Sequence, residues 1–238
     1  MATKICLWSS PRNVSTALMY SFAQRLDTTV FDEPLYAHYL NNSGLNHPAR
    51  EQVLAVQEND GEKVIEQIIL KKRDKISFHK LMTHFLININ MDFLSKVNNV
   101  IFIRDPKAII ASYSKVIPNP RMDDIGVERQ YELYQYLMKT GNPPVILDSK
   151  YLLQNPKLIL QKLCLLLAIE FDEKMLQWEK GAIQEDGVWA KYWYTNIHNS
   201  TGFFPYEEKE IDLKNKALEL YEECFPFYEF LTAKSIKI

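Results

Sequence analysis

Three cysteines among 238 residues, Cys6, Cys164 and Cys224, stand far apart and never at CxxC spacing. So scattered and odd a set excludes a disulfide framework and leaves free, core-filling thiols in a reducing compartment as the expectation. The five histidines show no HExxH spacing and do not pair with the cysteines, so metal catalysis has no motif to rest on. No GxSxG occurs, so the nucleophile elbow of a serine hydrolase is missing. Charge of one sign is not in excess: the net charge is −2 and the pI near 6.2, which gives no sign of a nucleic-acid or membrane surface. The longest apolar run, LILQKLCLLLAI at 158–169, is interrupted by Gln161 and Lys162 and has about half of the roughly 20 residues needed to span a bilayer. The opening MATKICLWSSPR holds too short an apolar run for a signal peptide. Repeats, low-complexity tracts and linkers are also lacking. A cytoplasmic protein of one domain, 1–238, is expected, with its oligomeric state unread.

What is present is an ordinary globular composition, 47% hydrophobic and 24% charged, in a chain long enough for a substantial core. Short β-type runs alternate with longer helical stretches. KICLWS (4–9), TTVFD (28–32), KISFHKL (75–81), NVIFIRD (99–105) and PVILDS (144–149) read as strands. Helices are expected near 15–26, over 61–73, after Pro106, from Pro156 onward, and at about 207–223. This alternation implies a three-layer α/β/α fold around a mainly parallel sheet. Ligands of such sheets bind at the carboxyl ends of the strands, so the loops beginning at Ser9, Glu33, Lys80 and Arg104 should crowd one edge.

The first of these loops lacks what phosphate loops usually have. SSPRNVST has no glycine and no Gly-Lys-Ser/Thr ending. Hydroxyls, Ser15 and Thr16, stand where the lysine and its neighbour belong, and the cation sits upstream at Arg12. An arginine fork bridges two oxygens of a phosphate or sulfate, and the N–H groups of a following helix add to it. A plain turn with Ser15 or Thr16 as N-cap explains the loop alone equally well. The second loop, IRDPKAIIASYS, places Arg104 at the end of a buried strand and Ser112 eight residues on, about two turns into a helix. The two can form a second anion site. Otherwise Asp105 is an N-cap, Arg104 a surface ion-pair partner and Ser112 a packing residue.

Together the loops resemble the sulfotransferase family. The Pro-Lys-Ser-Gly-Thr-Thr motif of its cytosolic enzymes lines up with Pro11-Arg12-Asn13-Val14-Ser15-Thr16. Arginine replaces lysine, and Val14 stands at the glycine position, where a side chain approaches the phosphates. VFDEPLYAHYL, HKLMTHF, LDSKYLLQNPKLILQKLCLLLAIEFD and DGVWAKYWYTNIHNSTGFFPY extend the similarity over most of the chain. The resemblance implies 3′-phosphoadenosine 5′-phosphosulfate as cofactor, with no metal. Its 5′ end would lie on Arg12, Asn13, Val14, Ser15 and Thr16, and its 3′-phosphate on Arg104 and Ser112. It implies sulfuryl transfer to a small-molecule acceptor; the bulk charge already gave no nucleic-acid or membrane partner. Glu33, after the second strand, is the first candidate for the base and His84 the second. Lys80 and Arg12 are the cations for the leaving oxygen. In the aromatic stretch 186–206, the resemblance would make Lys191 the counterpart of the basic C-terminal loop, although the usual Arg-Lys-Gly is absent; a core-capping aromatic cluster explains the stretch equally well. Tyr36, His38, Tyr39, Trp189 and Tyr192 would line the acceptor pocket. Two alternatives stay open. One is a nucleotide-binding protein on the same fold without transfer. The other is an ATP-dependent P-loop kinase with Asp105 or Asp148 as its Mg²⁺ carboxylate.

Overall fold

The structure, a computed structural model, describes residues 3–115, 118–208 and 210–238. Five strands form one sheet: β1 (Lys4–Ser9), β2 (Thr28–Asp32), β3 (Ile76–Met82), β4 (Asn98–Ile103) and β5 (Val145–Asp148). Their spatial order is β2-β3-β1-β4-β5, and every pairing is parallel. A parallel sheet needs cover on both faces, and the nearly unbroken apolar runs of β1 and β4 supply side chains to both. Alternate residues divide them. Ile5, Leu7, Val100, Phe102 and Leu147 join a core beneath helices Ser15–Ala23 and Pro156–Leu166. Cys6, Trp8, Ile101, Ile103 and Ile146 join a second core beneath Tyr36–Ser43, Arg50–Val56, Val127–Lys139 and Lys216–Thr232. The three layers expected from the alternation are there.

From the central strand β1 the chain leaves toward β2, and from its neighbour β4 it leaves the opposite way toward β5. The direction of connection thus reverses between β1 and β4, the place at the carboxyl edge where sheets of this kind take ligands. The loops after these two strands carry Arg12 and Arg104.

Two expected helices differ. The stretch 61–73 is helical only over 61–69, as one α turn continued by a π-helix at Ile65–Ile69. The C-terminal helix lies at Lys216–Thr232 instead of 207–223, and it runs through Pro226. Its burial against the Val127–Lys139 helix, through Tyr131, Tyr134, Phe227 and Phe230, outweighs the hydrogen bond a proline forfeits. Among the described residues no helix is long and apolar enough to cross a membrane.

Candidate functional site

The first loop turns through left-handed backbone at Arg12 (φ 59°) and Val14 (φ 32°) before the helix begins at Ser15. Val14 is the N-cap position, so neither Ser15 nor Thr16 caps the helix as a plain turn would have it. Alternation of left-handed and ordinary backbone aims successive N–H groups inward, the geometry of an anion nest. Within the described residues no group accepts from the N–H of Asn13, Val14, Ser15 or Thr16, and no hydrogen bond reaches the Ser15 and Thr16 hydroxyls. Ser10 Oγ and Asn13 Oδ1 are buried and also lack partners. The loop's other side is tied down: Asn13 Nδ2 donates to the Phe102 carbonyl, Gln130 Nε2 donates to that carbonyl at 2.7 Å, and Thr83 Oγ1 donates to Ser9 O at 3.1 Å. Val14 packs on the core beneath the first helix.

Arg104 and Ser112 meet this loop. Arg104 donates through Nη1 to the Arg12 carbonyl, and Arg12 Nε donates to Ser112 Oγ at 3.0 Å. The loop and the Arg/Ser pair thus form one basic corner. Burial, with the Arg12 charge beside it, lowers the Arg104 pKa; a bound anion would relieve both. Asp105 accepts from Lys107 N at 2.8 Å as N-cap of the Pro106–Tyr113 helix, and Arg104 makes no ion pair among the described residues. Asp148 is committed as well, accepting from Lys150 N, Tyr228 Oη and Thr232 Oγ1, each at 2.8 Å. Asp148 is thus spent on the fold, whereas Asp105 keeps one oxygen, Oδ2, outside any hydrogen bond among the described residues.

Across the edge, the ends of β2 and β3 bring together Asp32, Glu33 and Lys80. Lys80 is 1% exposed, and its ammonium donates to Asp32 Oδ1 at 2.8 Å, Glu33 Oε1 at 2.7 Å and Tyr194 Oη at 2.5 Å. Three donors meet three acceptors, so Lys80 has no proton left for a leaving oxygen; the role expected of it there is corrected to holding Glu33. Burial works against the ammonium, yet Asp32, Glu33 and Tyr194 together push its pKa up. Burial, reinforced by Asp32, raises the Glu33 pKa despite Lys80. Glu33 takes a left-handed backbone (φ 43°), fixed by its N–H donating to Lys80 O at 2.9 Å and by Gln57 Nε2 and Tyr36 N donating to its carbonyl. Its second oxygen, Oε2, accepts no hydrogen bond among the described residues.

Tyr36 feels the charge of Glu33, and its buried ring meets that of buried Trp189 edge-on, with centroids 5.1 Å apart at 86°. Tyr36 also stacks on Phe85 and meets His47 Nδ1 through its hydroxyl at 3.0 Å. Tyr39 lies edge-on to His84 at 4.8 Å. The His84 Nδ1 is buried without a partner, and burial with neighbouring His47 and Arg129 holds its pKa down at about 3. The ring is thus neutral at ordinary pH. His38 was expected toward the acceptor. Instead its Nε2 bonds Ile87 O at 2.8 Å and its Nδ1 accepts from Gly61 N at 3.1 Å, so both nitrogens serve the fold. Lys191 is exposed, with its ammonium over the Tyr192 ring, and has no contact with Arg104 or Ser112; Tyr192 is itself 50% exposed. Tyr206, by contrast, acts on Arg104 and lies under Lys150.

Sequence reasoning did not single out Asp32, Tyr194 or Gln130. Asp32 carried one signal, a charged last residue on an apolar strand directly before Glu-Pro. Tyr194 was one tyrosine among many.

The family model described as "Sulfotransferase domain" matches residues 3–235. Two curated proteins of Arabidopsis thaliana, branched-chain-amino-acid aminotransferase-like proteins 2 and 1, are 38% and 39% identical over 94% of this chain. The chain spans 40% of the length of each. Among solved structures, the sulfotransferase domain of the Synechococcus PCC 7002 olefin synthase superposes with a TM-score of 0.58 at 17% identity, over 94% of this chain and 95% of that one. The sulfotransferase domain of the curacin biosynthetic pathway gives 0.54 at 15% identity over 94% and 97%, and a sulfotransferase from Alicyclobacillus acidocaldarius gives 0.56 at 10% over 98% and 95%.

Proposed function

The chain belongs to the sulfotransferase domain family, and we propose that it moves a sulfuryl group from 3′-phosphoadenosine 5′-phosphosulfate to a hydroxyl or amine of a small acceptor. The observation that carries this reading is one sheet edge with two complementary halves. One half is a nest of N–H and hydroxyl groups, unpartnered among the described residues and flanked by Arg12 and Arg104; the other is the buried Glu33 carboxylate, whose second oxygen accepts no hydrogen bond among the described residues.

The residues fit the cofactor. The N–H groups of Asn13 to Thr16, with the Ser15 and Thr16 hydroxyls, would hold the phosphosulfate end. Arg104 and Ser112 would hold the 3′-phosphate, where a planar guanidinium gives two parallel hydrogen bonds. Val14 does not spoil the fit, because it takes the left-handed conformation that the family's glycine would take and packs its methyls on the core. Bound there, the cofactor supplies an activated sulfuryl group with a phosphate leaving group. Glu33 Oε2 takes the proton of the acceptor hydroxyl or amine, and its raised pKa suits that task at neutral pH. Lys80 fixes Oε1 and so the direction of Oε2. The loop N–H groups and Arg12 face the charge that develops on the departing oxygen, without reorganising at the moment of transfer. Tyr36, within reach of the Glu33 charge, and Trp189 packed against it close the buried side of the site and keep water from Glu33.

Calorimetric titration with 3′-phosphoadenosine 5′-phosphate, AMP and ATP, each with and without Mg²⁺, tests the reading. The bisphosphate should bind without metal and at least about tenfold tighter than AMP, as one charge-assisted phosphate contact predicts. Arg104→Ala should remove most of that difference. Equal affinity for the bisphosphate and AMP refutes the 3′-phosphate site. Bisphosphate binding without transfer to any hydroxyl or amine would leave a nucleotide-binding protein, and preference for ATP with Mg²⁺ would favour a kinase.

A further inference from the structure

The cluster at the ends of β2 and β3 holds two carboxylates and one ammonium, and its two carboxylates are treated unequally. Asp32 is saturated: Oδ1 accepts from Lys80 Nζ, both oxygens lie within 2.9 Å of the Tyr194 hydroxyl, and Oδ2 accepts from Gly187 N at 3.1 Å. Glu33 accepts from Lys80 alone. Both side chains are buried, at 1% and 9% exposure, so neither draws much help from solvent. One ammonium cannot neutralise both, and the surplus negative charge falls on the carboxylate with fewer donors.

We propose that Asp32 is a positioning residue that divides Lys80 between two carboxylates and so makes Glu33 the proton-accepting member of the pair. Tyr194 and Gly187 belong to the same device. They supply donors to Asp32, and both lie on the segment that carries Trp189, whose Nε1 donates to Tyr194 Oη at 3.2 Å. The wall of the acceptor site and the balance of the base are therefore set by one carboxylate. When the 187–194 segment is seated, Asp32 is satisfied and Glu33 is poised. When it is unseated, Asp32 loses its other donors and draws Lys80 away. The groups that face Glu33 are Lys80 from β3, Asp32 from β2, Tyr36 from the helix that follows, and Tyr194 from the aromatic segment. This inference rests on the reading of Glu33 as the base, but it concerns a proton equilibrium that exists without cofactor or acceptor.

The test is a carbon-13 NMR titration of the glutamate side-chain carboxyls in the ligand-free protein, with Glu33→Gln identifying the signal. Wild-type Glu33 should titrate above the other glutamates. Asp32→Asn removes the repelling charge and releases Lys80, so Glu33 should lose at least about tenfold in proton affinity, the effect of one like charge at this range. Tyr194→Phe, which takes a donor from Asp32 and keeps every charge, should move Glu33 the other way. A folded Asp32→Asn protein with Glu33 unmoved overturns the proposal. If that variant does not fold, Tyr194→Phe decides alone: an upward move supports the inference and no move refutes it. Failure of the bisphosphate to bind would end the sulfuryl-transfer reading and leave this titration standing.

Discussion

Acid should destabilise this protein through His79 more than through any surface group. His79 sits in β3 at 0% exposure, stacked on Phe31 at 4.7 Å and 13°, with neither ring nitrogen bonded. Burial, helped by the charges of Arg73 and Lys4, pushes its pKa from 6.5 down to about 3. The folded-state value is depressed, so below 6.5 the unfolded chain binds a proton that the folded chain refuses. The contribution is intact above 6.5 and is lost as the pH falls from there toward 3. At pH 5 an unfolded imidazole is mostly charged while the folded one is neutral, a penalty of about 2 kcal/mol against about 0.2 at pH 7. The assay is urea unfolding of wild type and His79→Leu at both values. The variant changes the baseline by altered packing, but only wild type carries this proton, and His84 is common to both and cancels. The stability difference should shift by about 2 kcal/mol in the variant's favour on going from pH 7 to 5. An unchanged difference would falsify the argument, since the folded imidazole would then have to be accepting its proton.

Val14→Gly should melt about 2–4 °C above Val14→Ala, because only glycine relieves the left-handed strain of about 1 kcal/mol while both lose the same methyls; the reverse order in a thermal scan would mean that the loop relaxes. At Gly187 an added Cβ would come within 2.2 Å of the Trp189 ring, so Gly187→Ala should cost about 1–3 kcal/mol and shift tryptophan emission to the red as that ring is displaced. Tyr228→Phe leaves the buried Asp148 with one hydrogen bond fewer and should cost about 1–3 kcal/mol by chemical denaturation, whereas nucleotide affinity should not change.

The strands and the loops that carry Arg12 and Arg104 were legible because their physics is local. A strand buried on both faces must be an apolar run, and NVIFI and KICLW are such runs. Pro106 and Pro156 mark helix starts for a reason that needs no partner. The C-terminal helix was misread because its position is decided elsewhere. EEKEIDLKN has helical composition but no face to bury, while the segment through Pro226 has one, against Tyr131 and Tyr134. The site divided likewise. Glu33, Arg12 and Arg104 stand at strand ends or in a loop that any parallel sheet would bring together. The pairing of Lys80 with Asp32 and Tyr194 spans 48 and 114 residues and has no periodicity to announce it. Whether Lys80 was free or spent could be learned only by counting its acceptors in space.

The last strand of the sheet is short and depends on residues made long after it. Asp148, at its end, is held by Tyr228 and Thr232, and the Ile146 carbonyl accepts from Ile236 N at 2.9 Å. A ribosome must therefore add some ninety more residues before β5 gains these partners. Until then the half-built sheet presents a carbonyl row without its closing clip, and that interval is when a chaperone or a neighbouring nascent chain would compete for it. Translation speed across the segment between β5 and the final helix thus becomes a determinant of yield, separate from the stability of the finished molecule.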